Sequence, residues 1–122
     1  MATLNTTLSI SSSNVASNNL SISISDVLSV GNPIKGISRE SVATNADTEI
    51  VAASVSSSVY VYIKNVDSAN FILLKTQNQG AEAFARLHAQ EAMLFCLPPS
   101  TGFHIVADTS ACIVEFATFT KS

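Results

Sequence analysis

Charged residues are scarce in this chain. Only 12% of the 122 residues are Asp, Glu, Lys or Arg, about half the usual fraction of a globular domain. The six cations are scattered and the net charge is −3, so the sequence lacks the basic stripe of a nucleic-acid-binding surface. We therefore expect no nucleic-acid partner, and a surface made of hydroxyls and amides that suits contacts with other protein.

Long apolar runs are absent as well. The longest uninterrupted one, Ala92 to Leu97, has six residues, whereas a membrane-spanning helix needs about 20. The N-terminus has neither the basic start nor the apolar stretch of a signal peptide. These absences predict a protein that is made and kept in a cytosol and has no membrane partner.

Cysteine is represented by two residues, Cys96 and Cys112, which are too few for a zinc site. Each lies in an apolar, strand-like run. The sequence therefore favours two small buried core residues in a reducing compartment. A disulfide between two paired strands is the alternative interpretation.

Residue patterns that carry chemistry are missing. The two histidines, His88 and His104, are far apart in sequence, and His104 has no acidic residue after it until Asp108. No serine lies in a Gly-x-Ser-x-Gly turn, and the four glycines are isolated, so no phosphate-binding loop is predicted. We expect no enzyme, no cofactor, and no catalytic or metal-binding residues.

The carboxylates and the aromatic residues also give no indication of a catalytic or carbohydrate-binding site. The possible carboxylate pairs, Glu82 with Glu91 and Asp47 with Glu49, have a spacing typical of a solvated face. A carbohydrate-binding platform would expose aromatic rings, but we expect the following to be mostly core because they lie in predicted strands: Tyr60, Tyr62, Phe71, Phe95, Phe103, Phe116 and Phe119.

The strongest pattern in the sequence is an alternation of apolar and polar residues with a period of two. Over Leu20 to Ser25 one face is Leu20, Ile22 and Ile24 and the other is serine, which predicts a strand with one face on a core and one face flat and uncharged. The segment Val59 to Ile63 is apolar on both faces and rich in β-branched and aromatic residues. It predicts a central strand.

Further strands are predicted at regular spacing, separated by polar turn clusters that include Gly31-Asn32-Pro33 and Asn78-Gln79-Gly80. They are Glu49–Ala52, Phe71–Leu74, Ala92–Leu97, Phe103–Val106 and Cys112–Phe119. Many short strands between polar turns are typical of an all-β, antiparallel β-sandwich, here jelly-roll-like. We expect Val59 to Ile63 and Cys112 to Phe116 to form its core.

One stretch allows two interpretations. Ala81 to Ala92 consists of strong helix formers, so propensity alone predicts a helix. The alternative is a strand over Phe84 to Leu87, a turn over His88 to Glu91, and a second strand.

The composition divides the chain near its first third. The early residues are rich in Ser, Asn and Thr, and apolar density rises from about residue 48. We predict an N-terminal arm or set of edge strands over residues 1–36 and a β-sandwich domain over 37–122. A long exposed strand with an uncharged face invites pairing with another chain, so the first segment is the expected contact region for partners.

Three sequence blocks of the larger segment, taken in order, resemble a known group of proteins. The first is Tyr60-Val61-Tyr62-Ile63-Lys64-Asn65-Val66-Asp67, the second is Leu87-His88-Ala89-Gln90-Glu91, and the third runs from Ala107 to Phe116. They are similar to blocks in small virion structural proteins of tailed bacteriophages. Gln90 stands where that pattern has Gly. The resemblance favours the strand–turn–strand interpretation of residues 81–92.

The resemblance implies a function as well as a fold. The first expectation is a capsid decoration (cement) protein, a homotrimer in the virion that binds the major capsid protein and is assembled in the host cytoplasm. A head–tail connector or tail subunit is the second expectation. A carbohydrate-binding β-sandwich is the third, from another functional class. The resemblance carries no site residues over.

Overall fold

A computed structural model of the chain describes residues 2–13, 20–76 and 82–122, with the backbone alone at Asn32. The strands in these ranges are β1 (Ala2–Ser12), β2 (Leu20–Val42), β3 (Thr48–Val51), β4 (Val59–Asn65), β5 (Ile72–Thr76), β6 (Ala85–Leu87), β7 (Ala92–Leu97), β8 (Phe103–Ala107) and β9 (Cys112–Lys121).

Two antiparallel sheets contain all of these strands. The first, sheet A, has the order β1-β2-β9-β4-β7, and the second, sheet B, has the order β3-β8-β5-β6. The prediction of an all-β fold that packs as a sandwich is thereby confirmed. Within the described ranges there is no helix with the length and apolar character needed to cross a membrane.

The strand pairing from β2 onward is nested. β2 pairs with β9, β3 with β8, β4 with β7 and β5 with β6, each time antiparallel. These eight strands can therefore be traced as one long antiparallel ribbon that turns back between β5 and β6. Successive pairs of the ribbon lie alternately in sheet A and sheet B.

The core lies between the two sheets and follows the alternation of the sequence. In β4 the even-numbered side chains are partly exposed while Val59, Val61 and Ile63 are buried. In β9 the buried set includes Cys112, Val114 and Phe116. Both segments predicted to form the core are confirmed, and β4 lies between β9 and β7, as a central strand should.

The ambiguous stretch is strand, turn and strand. β6 covers Ala85–Leu87 and β7 covers Ala92–Leu97, so the helix alternative is wrong over the described residues; residue 81 lies outside them. Gln90 in the turn has a φ of 68°, the left-handed conformation that explains why a glycine would suit this position. Its side-chain amide donates hydrogen bonds to the carbonyls of Val66 (2.8 Å) and Asp67 (2.9 Å).

The predicted turn at Gly31-Asn32-Pro33 is wrong, because β2 continues through it. The pairing with β9 shifts register three times between Val30 and Ser38, so the turn-forming residues bend the strand without ending it. Gly31 allows a close approach there, since a Cβ at that position would lie 2.6 Å from Oγ1 of Thr120. The predicted turn at Asn78 to Gly80 lies outside the described residues.

The sequence also predicts hairpin connections over Asn65 to Asn70 and Ala107 to Ala111, in the first of which Asn and Asp side chains bond their own backbone, but both segments join different sheets. Residues 65–70 lead from β4 in sheet A to β5 in sheet B, and residues 107–111 lead from β8 in sheet B to β9 in sheet A. The hairpin prediction is wrong because adjacent strands of a rolled ribbon belong to opposite layers. The local bonds expected from Asn and Asp are present, since Asp67 Oδ2 accepts hydrogen bonds from the backbone N–H groups of Ala69 (3.0 Å) and Asn70 (2.7 Å).

Candidate assembly surface

The N-terminal hairpin extends beyond the sandwich. β1 pairs with β2 along its whole length, from Ala2 opposite Val30 to Ser12 opposite Leu20. The pairing of β2 with β9 begins only at Val30. Residues 2–12 and 20–30, named the arm from here on, therefore form a two-stranded ribbon that continues sheet A past the end of β9.

The arm has two contrasting faces, because directly opposed residues of an antiparallel pair share a face. One face is apolar, with Leu8 opposite Ile24 and Ile10 opposite Ile22. The other face is hydroxyl-rich, with Ser9 opposite Ser23 and Ser11 opposite Ser21. Val27 is the large aliphatic residue on this second face, and it is 64% exposed.

The apolar face of the arm is not covered by the chain's own core. The exposed fractions there are 52% for Leu8, 43% for Ile10, 38% for Leu20, 38% for Ile22 and 54% for Ile24. The expectation that Leu20, Ile22 and Ile24 lie on a core is therefore wrong for this chain by itself. An exposed, contiguous apolar surface of this kind marks an interaction site.

The register explains why the core does not reach this face. Val30 stands opposite Lys121 of β9, and the same side of β9 carries Phe119, opposite Tyr60 of β4. That side of β4 is the outer side of sheet A, since Val59 and Val61 point into the core. The apolar face of the arm therefore continues the outer face of sheet A.

An open cleft separates the arm from the far edge of sheet A. Its volume is about 570 Å³. Strands β1 and β2 line one side with Leu8, Ile24 and Leu28 among others, and Tyr60 with residues 92–96 of β7 lines the other. Since β1 and β7 are the two edge strands of sheet A, the cleft lies between two strands that each have one unpaired edge.

The apolar character of the cleft continues on the β7 side. Leu94 is 42% exposed and lines the cleft together with Cys96. The two cysteines are free, with Cys96 exposed and Cys112 buried. The prediction that both are buried is therefore correct for Cys112 and wrong for Cys96, whose strand is an edge with its outer face uncovered.

Cys112 is chemically protected where Cys96 is not. Burial, with a smaller contribution from the negative charge of Asp67, raises the pKa of the Cys112 thiol. Its Sγ lies 3.4 Å from the carbonyl oxygen of Ser110, to which it donates a hydrogen bond. Cys96 is thus the accessible thiol of the two, and its reactivity can show whether the cleft is open.

A charged network crosses the outer face of sheet A. Nε of the Arg39 guanidinium donates to Oε2 of Glu115 at 3.1 Å, and Nη2 forms an ion pair with the same oxygen at 3.1 Å. The hydroxyl of Tyr62 donates to Oε1 of Glu115 at 3.0 Å. The hydrogen bond from Tyr62 and then that from Arg39 lower the pKa of Glu115. Burial, followed by the same bond to Glu115, raises the pKa of Tyr62.

The titratable residues singled out in the sequence are dispersed. Nε2 of His104 lies 4.0 Å from Glu49 on sheet B, while Lys75 pairs with Asp47 at 3.5 Å. The carboxylate of Glu91 accepts a hydrogen bond from the backbone of His88 within its own turn. In the three described ranges no group of three or more His, Cys, Asp or Glu residues is placed to hold a metal ion.

The aromatic residues are less buried than their strand positions predicted. Phe103 and Phe116 are fully buried, whereas the other five are half-buried, namely Tyr60, Tyr62, Phe71, Phe95 and Phe119. Phe71 lies just before β5, with the guanidinium of Arg86 4.1 Å from its ring centre. Phe84 is 48% exposed, yet its ring contacts Phe95 and Phe103.

The sequence indicates the apolar face of the arm but not the cleft. The alternation from Leu20 to Ile24 identifies the apolar face, and its residues lie on the arm. The cleft depends on which strand of sheet A lies farthest from β1, and no local pattern encodes that order.

Comparison with known proteins gives no match of any kind. A scan against models of protein families, a search of curated proteins and a search of solved structures each return nothing similar to this chain.

Proposed function

We propose that this chain is a virion structural protein of a tailed bacteriophage, a capsid decoration protein that binds the major capsid protein on the outside of the head. The observation that carries the proposal is the arm, a long ribbon whose apolar face the chain's own core leaves exposed. Such a surface needs a protein partner in order to leave water. A homotrimer is the assembly that we propose for the decoration unit.

The strand pairing supports a particle protein. The nested pairs from β2 with β9 to β5 with β6 are the arrangement that we infer to be a jelly roll. That fold is found in viral capsid domains, and also in lectins and cupins. Because a fold does not select a function, the arm is what favours assembly over ligand binding.

The three blocks of the resemblance support the proposal because they meet at one corner of the fold. The backbone N–H of Gln90 donates to the carbonyl of Asn65 at 2.9 Å. The N–H of Val66 donates to the carbonyl of Ile113 at 2.9 Å. Each block therefore supplies a strand end or turn to one hydrogen-bonded junction, which gives the order of the blocks a structural reason.

The uncharged surface of the arm suits a broad contact with a protein shell. In the described part of the arm, Asp26 is the one charged side chain. Its remaining polar groups are hydroxyls and amides, which form hydrogen bonds without the desolvation cost of a buried charge. The open edge of β1 could also add to a strand of the partner.

The test is quantitative mass spectrometry of purified particles from cells that express the gene, expressed as copies of this chain per major capsid protein. A ratio near one, or a fixed large fraction of it, supports a decoration protein. A handful of copies per particle would overturn decoration in favour of a connector or tail subunit. Absence from the particles would contradict the virion proposal altogether.

A further inference from the structure

The tip of the arm has apolar side chains that the described residues leave partly uncovered. Ile10, Leu20 and Ile22 are between 38% and 43% exposed. They lie beyond the residues of the arm that line the cleft, which are Thr6, Thr7, Leu8, Ile24, Asp26 and Leu28. The tip thus has an exposed apolar face that its own cleft does not use.

The cleft, in turn, has room for side chains that its own chain does not supply. An apolar cavity of about 150 Å³ accommodates a benzene-sized group, so the cleft's volume of about 570 Å³ has space for three or four side chains of that size. Leu94 and Tyr60 on one side and Leu8 and Ile24 on the other give it apolar walls.

We propose that the tip of the arm of one copy enters the cleft of a second copy of this chain, so that copies are joined by exchange of their arms. Ile10, Leu20 and Ile22 of the donor pack against Leu94 and Tyr60 of the acceptor. Each copy donates one tip and accepts one, and the series closes on itself in a ring.

Charge favours a second copy as the occupant. Both the tip and the cleft are almost free of charged side chains; Asp26 is the one charged residue among those lining the cleft. Identical copies of this acidic chain therefore meet without charges facing each other at the contact. A strongly basic or acidic partner would gain nothing from this surface.

The area that the exchange buries sets how strong the association can be. The tip spans about four residues of each strand, so it is about 13 Å long and about 10 Å wide, at about 3.3 Å per residue and 4.8 Å between strands. One contact therefore covers on the order of 130 Å², and the buried area per copy is about doubled because each copy both donates and accepts. This area lies below the roughly 800 Å² per partner of a stable interface, so the association should depend on protein concentration.

The test uses the purified full-length chain in solution, without particles. Sedimentation equilibrium over a wide range of concentrations should show a closed oligomer, a small multiple of 12.8 kDa, in equilibrium with monomer. A chain that stays monomeric at every concentration would overturn the exchange.

Two substitutions test the two sides of the contact, and each has a matched control. Ile22→Ser alters the donor tip, and Val27→Ser alters an exposed aliphatic residue on the opposite face of the same arm. Leu94→Ser alters the acceptor, and Ile113→Ser alters a residue of equal exposure on β9, outside the cleft. Circular dichroism would verify that all four variants fold.

The expected result is that Ile22→Ser and Leu94→Ser each weaken association at least about tenfold, the effect of losing one buried aliphatic side chain, while the two controls leave it unchanged. If Ile22→Ser weakens association and Leu94→Ser does not, the arms meet each other and not the cleft, and the proposal is wrong. Equal effects of variants and controls would also contradict it.

The thiol of Cys96 gives an independent readout, because it lines the cleft and is exposed in the single chain. Its reaction with a disulfide reagent such as dithiobis(nitrobenzoate) should slow several-fold as the wild type associates. It should stay fast at all concentrations in Ile22→Ser. A rate that does not change with concentration in the associating wild type would show that the cleft stays open.

This inference goes beyond the proposed virion function, and the two fail separately. Loss of the chain from particles would leave the solution oligomer in place. A monomeric chain found at high copy number on particles would overturn arm exchange and the homotrimer, and would leave the binding to the capsid in place.

Discussion

Gln90 combines a strained backbone with side-chain hydrogen bonds that offset the strain. Its backbone has a φ of 68°, which costs a non-glycine residue about 1–2 kcal/mol, while its side chain donates two hydrogen bonds to the loop after β4. We predict that Gln90→Ala destabilises the fold by about 1–2 kcal/mol, because it keeps the strain and loses both bonds. Urea unfolding would measure the difference.

Gln90→Gly separates the two contributions. It loses the same hydrogen bonds but removes the strain, so its free energy of unfolding should exceed that of Gln90→Ala by about 1 kcal/mol. A glycine variant that is no more stable than the alanine variant would show that the left-handed backbone is not strained at this position.

Glu115 makes the stability depend on pH. The hydrogen bonds from Tyr62 and Arg39 hold its pKa below the ordinary value of 4.5, so the carboxylate stabilises the fold when it is ionised. For a lowered pKa, that stabilisation is present above about pH 4.5 and disappears as the pH falls through the pKa of the folded state. We predict that Glu115→Gln is less stable than the wild type at pH 7, by a difference that shrinks below pH 4.5.

Thermal or urea unfolding of the two proteins at a series of pH values between 7 and 2.5 would measure this difference. Glu40, an exposed residue one strand away on β2, provides the control, because Glu40→Gln removes a surface carboxylate without touching the hydrogen bonds of Glu115. A stability difference for Glu115→Gln that stays constant across this range would contradict the assignment.

At the scale of elements, the arm and the sandwich should separate at Val30. The pairing of β2 with β9 begins at that residue, which is 3% exposed, whereas the preceding residues pair with β1. We predict that removing residues 1–29 changes the free energy of unfolding of the remaining chain by less than about 1 kcal/mol, since β1 is hydrogen-bonded to β2 alone and most of the apolar contacts that are lost therefore lie within the removed ribbon.

Removing residues 1–36 should cost more, because it also deletes Val30, Pro33 and Lys35, which pair with β9. Burial of one aliphatic side chain alone contributes about 1.5–3 kcal/mol. Thermal unfolding of the two truncated chains would compare them. If they are equally stable, the pairing over residues 30–36 contributes little.

Asn65 is the residue that connects elements at the corner where the sequence blocks meet. It is fully buried, and its amide donates to the carbonyls of Asn70 (2.9 Å) and Leu87 (3.1 Å). We predict that Asn65→Ala destabilises the fold by about 2–4 kcal/mol, because it leaves buried carbonyls without a donor. Asn70→Ala is the control for urea unfolding, since the carbonyl that accepts from Asn65 remains; a comparable loss there would contradict the assignment.

The sequence predicts the positions of the strands better than it predicts which strands lie next to one another and which of their faces are covered. Short apolar or alternating runs reflect local strand geometry, so the positions of β4, β7 and β9 follow from them directly. The sequence predicts burial of Cys96 from its apolar run and of Ile22 from its alternation with serine, yet both lie on the outer side of sheet A. Which side is covered depends on how many strands the opposite sheet contributes, and this is a property of the whole ribbon.

For the molecule as a whole, the decisive quantity is the small number of charges, 12% of residues with a net charge of −3. Contacts made by the arm and the cleft are therefore apolar. At 1 M ionic strength the Debye length is about 3 Å, so salt largely screens exposed charges that are farther apart than this. It does not weaken apolar burial, and sulfate strengthens it.

We predict that the association constant of the full-length chain is unchanged or higher in 1 M sodium chloride than in 0.05 M, and higher again in sodium sulfate of equal ionic strength. Sedimentation equilibrium at each salt would measure it. Either salt screens the electrostatic repulsion between the acidic copies. The effect of chloride therefore measures the loss of this repulsion, and the further effect of sulfate measures the strengthening of apolar burial. An association that weakens tenfold or more in chloride would show that charge pairs hold the copies together, and the apolar face of the arm would then need another partner.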